Sequence, residues 1–172
     1  MSKLPLILSV ALVVLTGCSK EENVKIEDKP IGVEAFRYKM PKNGKLVHPE
    51  YGTEEWFSYS AMNGVGESHA NGVVQGQRFE DGMFTLTMQL NLYPAQDGEF
   101  YEVWLAGENP TNLVSAGHLV NYFGDSRHQL RFSSQEDLRQ LPLVRVTLEQ
   151  DDGDPGPSEN LIAQGLLRVQ KR

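Results

Sequence analysis

The chain alternates without a fault between apolar and polar residues over residues 84–92. In an extended backbone, one side would then hold five apolar residues: Phe84, Leu86, Met88, Leu90 and Leu92. A helix would spread these residues around its circumference, so the segment buries a continuous apolar face only as a β-strand. We expect Leu86, Met88 and Leu90 to be nearly inaccessible, with the polar residues between them on the opposite face.

Six more segments have the composition of strands and are separated by turn residues. They lie at residues 72–76, 100–105, 114–120, 129–132, 144–148 and 161–169. The turn signals between strands are Asp81-Gly82, Asp97-Gly98, Asn109-Pro110 and Gly124-Asp125. This spacing predicts an all-β fold, a single antiparallel β-sandwich of the immunoglobulin-like kind.

One short helix is predicted within that sandwich. Residues 133–136 offer an N-cap serine followed by an acidic first turn, and Leu138 and Leu141 are three residues apart. Pro142 would end the helix.

The N-terminus has the parts of an export signal. A positive start with Lys3 precedes an apolar run over residues 4–15, which is too short to span a bilayer and predicts a signal helix over residues 1–17. The next motif, Leu15-Thr16-Gly17-Cys18, resembles the lipobox of bacterial lipoproteins. The resemblance implies cleavage between Gly17 and Cys18 and acylation of Cys18, which makes membrane lipid the first expected partner. Two or more acyl chains on this cysteine would anchor the protein stably in a membrane.

The rest of the chain divides by composition. Residues 18–30 are charged and have almost no apolar content, as in a tether. Residues 31–67 are interpreted as an N-terminal extension packed on a sandwich domain over residues 68–172. Ser19 resembles the sorting signal for the outer membrane, which predicts a protein facing the periplasm. Lys20-Glu21-Glu22 is similar to surface-export signals, so exposure on the cell surface stays open.

Charge and cysteine content exclude some classes of function. Loss of Lys3 with the signal changes the formal charge from −7 to −8, and such a chain repels nucleic acid. Cys18 is the only cysteine, so neither an intrachain disulfide nor a metal site built on several cysteines is expected.

A family resemblance appears in the second half of the chain. Tyr101-Glu102-Val103-Trp104-Leu105 and Leu113-Val114-Ser115-Ala116-Gly117 are followed by Val144-Arg145-Val146-Thr147-Leu148-Glu149, then by a Gly/Pro-rich loop and a strand ending near Gly165. Over residues 70–169 this order resembles the extracytoplasmic C-terminal domain of RskA-type anti-sigma factors. In that family a cytoplasmic region binds the sigma factor and a transmembrane helix connects it to this domain. Neither is recognisable here, so no sigma factor is expected among the partners.

No catalytic or cofactor site is predicted. The histidines, His48, His69, His118 and His128, lack the spacing of a helical zinc site. The acidic loop of residues 151–159 departs from the order of an EF-hand, and no G-x-S-x-G motif is present.

The aromatic residues offer a possible ligand surface instead, formed by Trp104, Tyr101 and Trp56. Alternation places Trp104 on the outer face of its strand, where we expect cover from residues 31–62, including Phe36 or Trp56.

These observations favour a non-enzymatic lipoprotein that carries a binding or structural module, with an envelope protein or a glycan as partner. Two alternatives remain. One is an envelope-stress sensor that acts through a transmembrane partner. The other is a metal-assisted envelope hydrolase that uses His118 or His128 with an acidic loop residue.

Overall fold

The computed structural model describes residues 39–42 (backbone only), 44–107, 109 and 112–171. Within these ranges the secondary structure is all-β, as expected. The strands are β1 Lys39–Lys42, β2 Lys45–His48, β3 Gly52–Gly64, β4 Asn71–Phe79, β5 Phe84–Asn91, β6 Glu99–Ala106, β7 Leu113–His118, β8 Arg127–Ser134, β9 Leu143–Gln150, β10 Leu161–Leu166 and β11 Arg168–Val169. The signal segment, Gly17, Cys18, the tether and Phe36 lie outside the described residues.

Eight strands form one antiparallel sheet in the order β7-β6-β9-β10-β3-β4-β5-β8. Its two edges meet just beyond β7, where Val120 pairs with Gln129 of β8 through two backbone hydrogen bonds of 2.8 and 2.9 Å. The sheet is therefore nearly barrel-shaped. The expected immunoglobulin-like sandwich is not confirmed, because β10 pairs with both β9 and β3 and joins the strands into one sheet.

The core lies inside this rolled sheet, and β5 contributes its alternating set as predicted. Leu86, Met88 and Leu90 are at most 2 % exposed, whereas Gln89 is exposed on the other face. The prediction for this strand is confirmed.

Residues 52–64 form the longest strand and lie between β10 and β4. They are part of the sheet rather than an extension laid over it. Their weak apolar pattern has a packing reason. Ser58 is fully buried on the core side opposite Gly76, and a Cβ on Gly76 would come within 3.0 Å of the Trp56 ring. Small residues here make room for that indole, whose ring lies 6.0 Å from Phe84.

The predicted helix at residues 133–142 is not formed. Ser133 and Ser134 continue β8, and the residues after them make turns. The Ser134 hydroxyl accepts a hydrogen bond from the Glu136 amide, and the Asp137 carboxylate accepts one from the Arg139 amide. In a helix the Arg139 amide would bond to the Gln135 carbonyl, so the Asp137 carboxylate takes a donor that the helix needs, whereas the Ser134 bond would equally cap a helix. The part of the chain that the structure describes contains no helix long and apolar enough to cross a membrane.

The two leucines that were expected to pack inward do so without a helix. Leu138 and Leu141 are 3 % and 1 % exposed and belong to the core cluster.

Candidate functional site: a cleft at one end of the sheet

A cleft of about 520 Å³ opens at one end of the rolled sheet. It lies where the β3–β4 connection, the end of β5, the start of β6, the β7–β8 loop and the start of β10 come together. Its volume is in the range of about 300–1,000 Å³ that is usual for small-molecule sites.

The cleft is lined by both apolar and polar residues. Its apolar residues are Val65, Ala70, Leu92, Leu161 and Ile162. Its polar residues include Ser68, His69, Asn71, Asn91 and Asn160. Glu67 is the acidic residue of the lining, and no lysine or arginine of the described chain lines it. The site therefore favours neutral or cationic groups over anions.

Two asparagine side chains are held side by side at this end of the sheet. Asn71 and Asn91 are register partners on β4 and β5. The Asn91 amide donates to Asn71 Oδ1 at 3.0 Å, and the Asn71 amide donates to the His69 carbonyl at 3.1 Å. These bonds orient both amides before any ligand arrives.

Behind the cleft, Tyr101 and His128 pack edge to face with ring centroids 5.5 Å apart. His128 is buried, with Nδ1 3.1 Å from the Ser126 carbonyl. The Tyr101 hydroxyl donates to the Tyr93 carbonyl at 3.0 Å. Burial, with the Glu99 charge as a second cause, raises the pKa of Tyr101. The phenol therefore stays protonated near neutral pH and acts as a hydrogen-bond donor.

Tyr93 lines the cleft and is 80 % exposed. The β7–β8 loop supplies Ser126 to the lining, and Tyr122 and Phe123 of the same loop are 59 % and 61 % exposed. Contacts with Arg127 at the start of β8 stabilise this loop. The Arg127 guanidinium lies over the Phe123 ring and donates two hydrogen bonds to the Asp125 carboxylate. The same hydrogen bonds lower the pKa of Asp125.

The aromatic residues predicted as a ligand surface are not brought together. Register pairs place Tyr101 and Trp104 on opposite faces of β6, and Trp56 packs beside Phe84 against the core. Of the three, only Tyr101 lines the cleft.

Trp104 lies on the outer face, as expected, but is only 4 % exposed. Its indole N–H donates to the Thr147 hydroxyl at 2.9 Å, which in turn bonds to the Glu149 carboxylate. The Ser158 amide also donates to Glu149, at 2.9 Å, and so ties the loop before β10 to this face. The expected cover by Trp56 is wrong, because Trp56 packs on the core side instead.

The residues that do line the cleft were mostly missed. Asn91 and Tyr93 continue the polar side of the alternation in β5, so the sequence places an exposed tyrosine where polar residues should stand. Tyr93 on the polar side was therefore the sequence feature that could have indicated this site. The pairing of Asn71 with Asn91 depends on strand register, and no sequence feature indicated it.

The histidines proposed for a hydrolase are separated by the sheet. His118 stacks on Phe100 at 4.2 Å, whereas His128 packs against Tyr101, and Phe100 and Tyr101 point to opposite faces of β6. Among residues with described positions, no group of three or more histidine, cysteine, aspartate or glutamate residues is placed to hold a metal ion.

Comparison with known proteins gives one family. The family described as "Anti-sigma-K factor rskA, C-terminal" matches residues 58–162, from the middle of β3 to the start of β10. No curated protein and no solved structure matches the chain.

The match bears out the resemblance noted from the sequence and moves its start from residue 70 to residue 58. It also corrects one expectation. Anti-sigma factors bind sigma factors, so the exclusion of a sigma factor from the partners of this chain is wrong. The match takes in more than half of the chain, which therefore belongs to the family of the C-terminal domain of anti-sigma-K factor RskA.

Proposed function

We propose that this chain is a membrane-anchored, non-catalytic module that receives a signal outside the cytoplasm and passes it to a pathway controlling a sigma factor. The observation that carries the proposal is the family match, which spans most of the nearly closed sheet together with the cleft at its end.

In this proposal, an acylated Cys18 anchors the chain to a membrane outside the cytoplasm. The proposal rests on the motif Leu15-Thr16-Gly17-Cys18 and on the export signal before it. Ser19 supports the outer membrane, facing the periplasm, as the destination. A module held there reaches the sigma factor through a membrane-spanning partner protein.

A binding role rather than catalysis is supported by the chemistry of the cleft. Its most buried ionisable group, Tyr101, has a raised pKa and a fixed acceptor, which suits a donor better than a base or a nucleophile. His118 and His128 lie on opposite faces of the sheet and share no substrate position. This arrangement gives little support to the hydrolase alternative.

The location is tested with Cys18→Ala in cells fed radiolabelled palmitate. We expect the wild-type chain to carry label and to sediment with membranes, and the variant to do neither. Ser19→Ala serves as the control and should still be labelled. Palmitate in the Cys18→Ala protein would refute the anchoring proposal.

The regulatory role is tested by deleting the gene in the native host and comparing transcripts. We expect a change in the set of genes that depends on one sigma factor, reversed by the wild-type chain and not by Cys18→Ala. Photo-crosslinking from a residue of the β7–β8 loop should capture a membrane-spanning protein. Transcripts that stay the same under envelope stress would contradict the role.

A further inference from the structure

The large exposed hydrophobic residues of the described chain fall into two groups. Tyr93, Val120, Tyr122 and Phe123 lie in the segments that follow β5 and β7, whereas Tyr59, Leu166 and Val169 lie on β3, β10 and β11. The two segments of the first group are joined by a hydrogen bond of 2.8 Å from the Leu92 amide to the Ser126 carbonyl. Exposed aromatic rings beside a cleft are typical of ligand contact rather than of folding, because folding would bury them.

Tyr93 is presented on a fixed backbone. Its carbonyl accepts a hydrogen bond from the buried Tyr101 hydroxyl, and the Leu92 amide before it donates to the Ser126 carbonyl. Pro94, the next residue, restricts the backbone of Tyr93 itself. The ring itself is 80 % exposed. A rigid backbone under an open ring lowers the entropy lost when a flat apolar surface stacks on that ring.

The polar groups of the cleft suit hydroxyl groups. Asn91 uses its amide N–H on Asn71, and its Oδ1 has no partner within the described ranges. The Asn160 side chain and the His69 ring also have no hydrogen-bond partner there. Side-chain amides offer both donors and acceptors, as a sugar hydroxyl does. A phosphate or a carboxylate would find no lysine or arginine in the lining.

Strand addition by a peptide is disfavoured at this end. Asn91 is paired with Asn71 on one side and with Arg127 on the other, and Gly64 of β3 is paired with Ala163 of β10. These backbone edges are occupied, so a ligand must be recognised by side chains, whereas added strands bind mainly through main-chain hydrogen bonds.

We propose that the cleft binds a neutral saccharide, with one sugar ring stacked on Tyr93 and its hydroxyl groups bonded to Asn91 and Asn160. The face of an aromatic ring is negative and attracts the C–H groups of the apolar side of a sugar ring. This inference rests on the non-catalytic binding role proposed above and names its ligand class.

The test is calorimetric titration of the full-length protein, kept in a detergent without a sugar headgroup. The probes are three neutral trisaccharides, maltotriose, cellotriose and tri-N-acetylchitotriose, and the acidic trigalacturonate. We expect saturable binding of at least one neutral probe and binding of trigalacturonate at least about tenfold weaker, since Glu67 but no lysine or arginine lines the cleft.

Two substitutions test whether the sugar binds in the cleft. Tyr93→Ala should weaken binding by at least about tenfold, and Asn91→Ala by a similar factor, with cooperative melting retained. The matched controls are Tyr59→Ala and Asn63→Ala, because these residues are also exposed but line a different groove on β3. They should bind as the wild type does.

Three results would overturn the saccharide class: no binding of any neutral probe, equal binding of trigalacturonate, or unchanged binding by Tyr93→Ala. A peptide captured by the wild type and lost in Tyr93→Ala, without sugar binding, would do the same. The proposed regulatory role is judged separately by the sigma-factor transcripts. Normal transcript responses without sugar binding therefore refute only the ligand class.

Discussion

Single side chains on β5 stabilise the domain according to the face they occupy. Leu90 is 2 % exposed and belongs to the core cluster, whereas its neighbour Gln89 points outward. Truncation of a buried leucine removes its transfer free energy and leaves a cavity that the surroundings only partly fill.

Leu90→Ala should therefore lower the free energy of unfolding by about 2–5 kcal/mol, measured by urea denaturation. Gln89→Ala is the matched control and should change it by no more than about 0.5 kcal/mol. Equal effects of the two variants would contradict the assigned faces.

Asp137 gives a residue-scale prediction about pH. Hydrogen bonds from the Arg139 guanidinium, of 2.6 and 2.8 Å, lower its pKa from 3.8 to about 2. A carboxylate whose pKa is lower in the folded state adds stability above its unfolded pKa and loses that contribution as the pH falls toward the folded value. The affected window is therefore about pH 4 to pH 2.

An NMR titration of the full chain should find the Asp137 carboxyl group titrating well below the ordinary aspartate value. Arg139→Gln should raise the pKa of Asp137 toward that value and leave unchanged the pKa of Asp125, which Arg127 lowers instead. An Asp137 pKa that does not respond to the substitution would show that the hydrogen bonds to Arg139 are not its cause.

At the scale of elements, one buried carboxylate holds a loop against the sheet. Glu149 on the outer face of β9 is 6 % exposed and accepts the Ser158 amide, while the Ser158 hydroxyl donates to the Leu148 carbonyl at 2.7 Å. Without Glu149, the partly buried Ser158 amide would lose its carboxylate acceptor. Hydrogen bonds to charged groups contribute about 1.5–3 kcal/mol.

Glu149→Gln should speed hydrogen exchange at the Ser158 amide by about 10- to 100-fold, as the loss of such a bond implies. Glu102→Gln, on the same outer face of the sheet, is the control and should leave Ser158 unchanged. Exchange at Ser158 that stays slow in Glu149→Gln would mean that the loop is held by other contacts.

On the scale of the whole molecule, β10 is the strand that joins two groups of strands. On one side it pairs with β9, which leads to β6 and β7, and on the other with β3, which leads to β4, β5 and β8. Among the described residues, the only other strand pairing between these two groups is the bridge between Val120 and Gln129. Closure of the core therefore depends on a strand near the end of the chain.

A chain that ends after Asn160 should lose cooperative thermal unfolding, because each remaining group of strands would expose its apolar face. A chain that ends after Leu167 lacks only β11 and should still melt cooperatively, at a lower temperature. Circular dichroism during heating distinguishes the two. Cooperative melting of the shorter chain would refute the joining role of β10.

The local pattern of the sequence was sufficient for the strands from β4 to β9, because alternation and turn residues depend only on neighbours along the chain. The single strand predicted over residues 161–169 is divided into β10 and β11. The sequence motifs also indicated the family that the match confirms. The strand β3 was missed, since Ser58 replaces a large apolar residue on its core side, opposite Gly76 of β4, where the Trp56 ring needs space. The supposed helix after β8 failed because Ser133 and Ser134 continue the pairing of β8 with β5, and the Asp137 carboxylate holds the Arg139 amide that a helix requires.

Tertiary structure alone decided the closure of the sheet and the site at its end. Whether strands form a sandwich or a rolled sheet depends on which strands far apart in the sequence pair with each other. The pairing of β10 with β3 is of this kind, and the local sequence pattern of neither strand predicts it. The cleft depends on that pairing as well. Its residues come from five separate segments, which meet only after the sheet has rolled. Trp104 shows the same dependence on tertiary structure. The alternation in the sequence predicted correctly which face of β6 it occupies. Only the structure shows that its side chain is buried and bonded to Thr147, which argues against a ligand surface there.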